Sequence, residues 1–210
     1  MQHLGIQGVS ITSPYKYDMI PKMHTLSEDA KKLGTINTAV RKAEGWTGYP
    51  RDSEGLIRGY PFLSNARSVA IIGSGGVVPS VIHACQQSGI EVIHVFARND
   101  DARIKLGKIF GVETHELDVL AAYACEILIC AVNADISLVI PEALDGAQAI
   151  DLRYGKETEF LSDAKDAGYT VHDGLPMLLH QALAQFELFT GLKTTEDDEK
   201  LLTDLLHLPT

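Results

Sequence analysis

About sixty residues into the chain, the pattern of hydrophobic and polar positions changes character. From residue 68 onward, short continuous apolar runs alternate with stretches of helical period. "SVAIIG" (68–73) is apolar almost throughout and stops at a glycine, which predicts a strand buried on both faces of a parallel sheet. "VPSVIHACQQSG" predicts a helix with Pro79 in its first turn and Gly89 as its stop. "EVIHVFA" (91–97) predicts the next strand, and "DDARIKLGKIFG" the next helix. Asn99 is its expected N-cap, and Asp100 and Asp101 favour the helix dipole. Two more strands are expected at 125–132 and 147–152, then a helix closed by Gly168 and a short strand over "YTVHD".

This alternation predicts an α/β fold whose Rossmann-like parallel sheet is covered on both faces. A long helix over 175–191 follows, stopped by Gly191. The last helix, "TTEDDEKLLTDLLHL", is expected to be capped by Thr194 or Thr195. Its Leu201, Leu202, Leu205 and Leu206 share one apolar face. Before residue 60 the chain reads as turn-rich and irregular, with a short β-branched strand at Val9-Ser10-Ile11-Thr12.

Charge and composition narrow the partners. A formal net charge of −10 over 210 residues argues against nucleic acid, which needs a basic face. No apolar run is long enough to span a bilayer, and the N-terminus lacks the order of a signal peptide. Cys85, Cys125 and Cys130 form no CxxC and read as free thiols in a reducing cytoplasm. The eight histidines are scattered, so the sequence predicts no metal site.

"VAIIGSGGVVPS" sets Gly73, Gly75 and Gly76 between a strand and a helix, where backbone and helix N-terminus can receive a pyrophosphate. Val78 stands where the usual third glycine would be, and a tight turn without a nucleotide is the alternative. The second strand ends in Ala97-Arg98-Asn99 instead of an acid. An arginine there suits a 2′-phosphate, which favours NADP over NAD; a surface arginine with no ligand is the other reading. Earlier in the chain, Thr12, Lys16, Asn37 and Asp52 are polar groups at the ends of short segments, Asp52 within a glycine-bounded loop. They could hold a polyhydroxylated ring beside a lysine–carboxylate pair.

At these residues the sequence resembles the shikimate dehydrogenase family. "GVSITSPYK" is similar to the family's GvNVTiPhK, "AKKLGTINTAV" to its A..iGAvNTv, and "GYPRDSEG" to its GyNTDg.G. "IIGSGGVVPSVIHA" is similar to lGAGGaarAv, "ARN" to NRT, and "DGLPMLLHQALAQFELFTG" to dGl.MLv.Qa..aFelwtG. The resemblance implies a reversible, NADP-linked reduction of 3-dehydroshikimate to shikimate, or the same chemistry on a relative such as quinate. It implies Lys16 and Asp52 as the catalytic pair, and Thr12, Asn37, Gln181 and Tyr154 around the substrate. Gly174 and Met177 would lie against the nicotinamide. It also implies a discontinuous layout. Residues 1–58 and 176–210 would form a truncated α/β substrate domain, and 59–175 the NADP-binding domain.

Departures from the family pattern favour an alternative, a weak or inactive homologue that binds a nucleotide as a sensor or partner subunit. Ser10 replaces an asparagine, and Pro50-Arg51 precedes Asp52, where Arg51 could pair with Asp52 or meet a substrate carboxylate. "ICAV" (129–132) replaces two polar groups beside the cofactor. The family also begins roughly sixty residues earlier, with two serines that bind the substrate carboxylate; each such lost bond is worth about 1.5–3 kcal/mol. An open sheet edge in the substrate domain would favour a homodimer.

Overall fold

A computed structural model of the chain describes residues 5–206. They divide into two compact units, one made of residues up to 59 together with those from 176, the other of residues 60–175.

The second unit is built on six parallel strands. They are β5 (Ser68–Ile72), β6 (Val92–Phe96), β7 (Glu113–His115), β8 (Ile127–Cys130), β9 (Gln148–Asp151) and β10 (Thr170–His172). Their spatial order is β10-β9-β8-β5-β6-β7. The chain winds outward from β5 to one edge, then returns to β8 and winds to the other. The switch point therefore lies between β5 and β8, where open parallel sheets place ligands at their carboxyl ends. Helices α3 (Val78–Gln87) and α4 (Asp100–Phe110) connect β5, β6 and β7, and α5 (Glu159–Asp166) precedes β10. Asn99 caps α4 by accepting from the Ala102 amide at 3.0 Å.

One face of this sheet packs Ala70, Ile72, Phe96, Leu128, Cys130 and Ala149 against Phe160, Leu161 and Ala164 of α5 and Leu120 of a 3-10 turn. The residues between them, such as Val69 and Ile71, point to the opposite face and are equally buried. This double burial explains the continuous apolar runs. The strict strand–helix alternation breaks after β8, where 131–147 contains no helix; its Ile136, Leu138 and Ile140 cover the sheet instead.

The first unit holds a four-stranded sheet in the order β1-β3-β4-β2: β1 (Gly8–Ser10), β2 (Thr25–Leu26), β3 (Thr38–Lys42) and β4 (Gly45–Tyr49). The irregular region expected there contains a regular hairpin, with Lys42 paired to Gly45 across a two-residue turn. Glycines hide it from propensity. A Cβ at Gly48 would come within 3.0 Å of Ile36 and 3.1 Å of Leu26, so the strand needs glycine for packing. Ile11, Ala30, Ile36 and Ala39 form the small core here, with α1 (Glu28–Leu33) over it.

Helices α2 (Asp52–Gly59), α6 (Leu175–Thr190) and α7 (Glu196–Leu205) complete this unit, α6 starting one residue inside the other. A Cβ on Gly55 would lie 2.7 Å from the Met177 carbonyl oxygen, so α2 rides against the α6 backbone. Thr195 caps α7 in a reciprocal capping box with Asp198. The expected apolar face of α7 is not buried. Leu201, Leu205 and Leu206 are exposed, and α7 is held at its start by the Glu199–Arg58 bond of 2.6 Å.

Two measurements check this packing. A Cβ at Gly174 would overlap the Leu152 carbonyl, whereas one at Gly75 would meet nothing within 4 Å. Gly174→Ala should lower unfolding free energy by about 3 kcal/mol in urea, and Gly75→Ala by less than about 0.5 kcal/mol. Burial also holds His172 and His180 below the ordinary imidazole range. The unfolded chain then takes up protons first on acidification. Stability from these groups is complete above a pH of about 6.5 and is lost as pH falls through it. His172→Gln should flatten part of that loss, measured as midpoint against pH.

Candidate functional site

Lys16 leaves the first strand through a tight turn. The Ser13–Pro14 peptide is cis, and the Tyr15 amide donates to the Thr12 carbonyl at 2.9 Å. The lysine is 9% exposed, and its Nζ donates to Oδ2 of Asp52 at 2.6 Å. Asp52 does not sit in a loop as the sequence suggested; it is the first residue of α2 and is 3% exposed. An acid in a first turn is favoured by the helix dipole, which helps hold the carboxylate in place.

Asn37 fixes the other side of that carboxylate. Its Nδ2 donates to Asp52 Oδ1 at 2.8 Å and to Gln181 Oε1 at 3.0 Å. Its Oδ1 accepts from Thr38 Oγ1 at 2.7 Å and from the Arg51 amide at 2.7 Å. With two donors facing its oxygen and two acceptors facing its nitrogen, the amide has one orientation that satisfies all four bonds. The network continues to Gln185, whose Nε2 donates to Thr38 Oγ1 at 3.0 Å and whose Oε1 accepts from Ser10 Oγ at 2.8 Å.

Lys16, Asn37, Asp52 and Gln181 are thus drawn into one cluster. Thr12, by contrast, is exposed at the turn. Gln185 was missed in the sequence, although Gln181 and Gln185 recur one helical turn apart on a largely apolar helix, which is a readable signal. Of the two roles open to Arg51, pairing with Asp52 does not occur. Its guanidinium donates to Glu54 at 3.0 Å and lies 5.4 Å from the Tyr49 ring centre, leaving Asp52 to Lys16. Ser10, where the family has asparagine, serves as a support for Gln185.

In the other unit, Gly73 follows β5 with φ +124° and donates its amide to the Phe96 carbonyl at 2.8 Å. An added Cβ would come within 3.1 Å of the Ala131 carbonyl, so packing alone requires this glycine. Gly75 is different, since no protein atom fills the space beside it. Gly76 follows it in the turn that leads into α3. That helix begins without a side-chain cap, which leaves its N-terminus available to an anion. Arg98 is exposed just past β6, and Asp100, which could have offset its charge, pairs instead with Arg103 at 2.7 Å.

Gly174 packs on Leu152, and Met177 is buried in α6 of the first unit. Tyr154, expected around the substrate, is 52% exposed. It follows Arg153, which is held by the fully buried Asp151 and by Asp135 at 2.6 Å. Thr158 both caps α5 and donates to Asp151 at 2.7 Å.

A six-stranded parallel sheet of this order, with a glycine turn at its switch point, and a unit carrying a buried lysine–aspartate pair define a Rossmann-type oxidoreductase. Comparison with known proteins narrows the class. Residues 1–39 match the shikimate dehydrogenase substrate binding domain, and 174–194 match the shikimate 5'-dehydrogenase C-terminal domain. Residues 68–151 match the coenzyme F420-dependent NADP oxidoreductase model. The chain is 28% identical to the NADP(+) shikimate dehydrogenase of Streptococcus pneumoniae strain Hungary19A-6, over 94% of this chain and 77% of the relative. Shikimate dehydrogenase from Aquifex aeolicus superposes with a TM-score of 0.82 at 25% identity, covering 95% of this chain and 78% of that one. Quinate dehydrogenase from Corynebacterium glutamicum, in complex with NAD, gives 0.80 at 29% identity, covering 96% and 79%. Over nearly its whole length the chain is similar to shikimate dehydrogenases.

The buried pair generates a stability prediction. Asp52→Ala leaves the Lys16 ammonium nine-tenths buried without its counter-charge and removes an acceptor from Asn37. Unfolding free energy should fall by about 3–5 kcal/mol, read from urea melts.

Proposed function

We propose that the chain catalyses the reversible, NADP-linked oxidation of a ring hydroxyl on a hydroxylated six-membered-ring carboxylate, shikimate to 3-dehydroshikimate or the analogous step on quinate. The observation that carries this reading is the Lys16–Asp52 pair, buried, 2.6 Å apart and locked from behind by Asn37. Oxidising a secondary alcohol removes a hydride from carbon and a proton from oxygen. Lys16 Nζ is the group to exchange that proton and to hold the alkoxide as it develops. Asp52 keeps Nζ in place, and its carboxylate can also accept from a neighbouring ring hydroxyl. Gln181 offers an amide to another, and Thr12, exposed four residues before Lys16, would offer a hydroxyl.

NADP supplies the hydride acceptor when bound. The residues present fit it: the open space at Gly75 suits a pyrophosphate, the uncapped start of α3 suits its charge, and Arg98 suits a 2′-phosphate. Gly73 and Gly76 would shape that turn, and Gly174 and Met177 would contact the nicotinamide. Tyr154 would add to the substrate side. A shikimate 5-dehydrogenase from Thermus thermophilus, in complex with NADP(H) and shikimate, superposes with a TM-score of 0.82 at 25% identity, over 96% of this chain and 80% of that one.

The reading carries a cytoplasmic setting. All three cysteines are buried and free, and burial pushes Cys85 up to about 12 and Cys125 and Cys130 up to about 11, so they are inert thiols. Among the described residues β1 and β2 are the outermost strands of the four-stranded sheet, and such edges favour a homodimer, which sedimentation velocity would read.

The test is the rate of NADPH appearance with shikimate and NADP, repeated with quinate. Lys16→Ala should lower kcat by at least about 100-fold while the chain stays folded by circular dichroism. Gly75→Val should raise the Kd for NADP without moving the ligand-free Tm. No turnover with either acid, while NADP still raises Tm, would refute the enzyme and support a nucleotide-binding homologue.

A further inference from the structure

Three residues that the proposed reaction does not use meet on one face of the parallel sheet. His94 on β6 lies opposite Glu113 on β7, and Phe96 lies opposite His115. Successive strand residues alternate faces, so these four side chains share one. Nδ1 of His94 is 3.0 Å from Nε2 of His115 and 3.3 Å from Oε2 of Glu113. Nε2 of His115 is 3.8 Å from the same carboxylate oxygen. Ligands bound to zinc at 2.0–2.1 Å at tetrahedral angles stand about 3.4 Å apart. The three observed separations bracket that value, so one ion at the centre needs shifts of only a few tenths of an ångström.

The surroundings orient the donors. The other ring nitrogen of His115, Nδ1, lies 3.2 Å from the Tyr123 hydroxyl. With Nε2 on a metal, Nδ1–H would donate to that hydroxyl, the outer-shell bond that fixes tautomer and ring angle in metal-binding imidazoles. Phe96 stacks on His115 at 5.1 Å, and Tyr123 sits 4.5 Å from the same ring. Both imidazoles are mostly buried while Glu113 is 71% exposed at its side chain, which gives an ion a path in from solvent. The cation facing this strand from α4, Arg103, is already paired with Asp100.

We propose that His94, Glu113 and His115 form a binding site for a divalent transition metal of the zinc class, with the fourth position open to water. Two imidazoles and one carboxylate select zinc over magnesium or calcium, which prefer all-oxygen shells. Occupied, the site would fasten the edge strand β7 to β6. The histidines looked scattered in the sequence because they stand 21 residues apart and only strand pairing joins them.

The test uses the untagged full chain, stripped with a chelator and titrated with zinc chloride against a chromogenic competitor. One ion per chain with a Kd in the micromolar range or tighter is expected, with a raised Tm, and magnesium should not compete. Glu113→Gln, at an exposed position that leaves the fold intact, should weaken binding at least tenfold, and His115→Gln should abolish it. Cobalt(II) should give visible ligand-field bands without a near-ultraviolet thiolate band, which separates this site from the buried cysteines. Zinc binding that is absent, or equal in wild type and Glu113→Gln, overturns the proposal.

Discussion

The Asp52 carboxylate, almost wholly buried, has each oxygen committed to a different donor, Lys16 on one side and Asn37 on the other. Burying a charged pair costs desolvation that only well-made bonds repay. Here the bonds come from segments far apart in the first unit's sequence. The turn after β1 brings Lys16, the segment before β3 brings Asn37, α2 brings Asp52, and α6 brings Gln181 and Gln185. Displacing any one of these elements would strand a buried polar group. The same bonds that hold the site therefore hold the unit's architecture, with the small apolar core of Ile11, Ala30, Ile36 and Ala39 beside them.

The other unit rests on a different principle. Its central strands are buried on both faces, mostly by aliphatic side chains. Gly73 turns the chain away from β5 where a side chain would strike Ala131, and Gly75 then leaves space that the protein itself does not use. The first glycine answers to the fold, whereas packing places no such demand on the second. Asp151, Arg153 and Thr158 form a second polar knot at the end of β9, which ties the loop bearing Tyr154 to the start of α5.

Legibility in the sequence followed the range of the interactions involved. Continuous apolar runs placed β5, β6, β8 and β9 within a residue or two, because double burial imposes its own composition. Asn99 was readable as a cap, and the cap of α7 was narrowed to Thr194 or Thr195, because capping is a bond between near neighbours. The hairpin of β3 and β4 was not readable. Gly45 and Gly48 lower strand propensity, and the reason for them lies in His24, Ile36 and Leu26, which come from elsewhere in the chain. Helix α2 was hidden the same way, since Gly55 is there to let α6 approach.

The sequence by itself determined the class of fold, the glycine turn and the presence of a lysine, an asparagine and an aspartate in motifs of one family. Those features are local, set by backbone propensity and short-range pattern. Only the tertiary structure decided that Arg51 turns to Glu54 and leaves Asp52 to Lys16, and that Gln185 supports Asn37 from behind. It alone brought His94 beside His115 and left the leucines of α7 uncovered. Each of these depends on which distant segment arrives within a few ångströms, and hydrogen bonds and ligand sets act only over that distance.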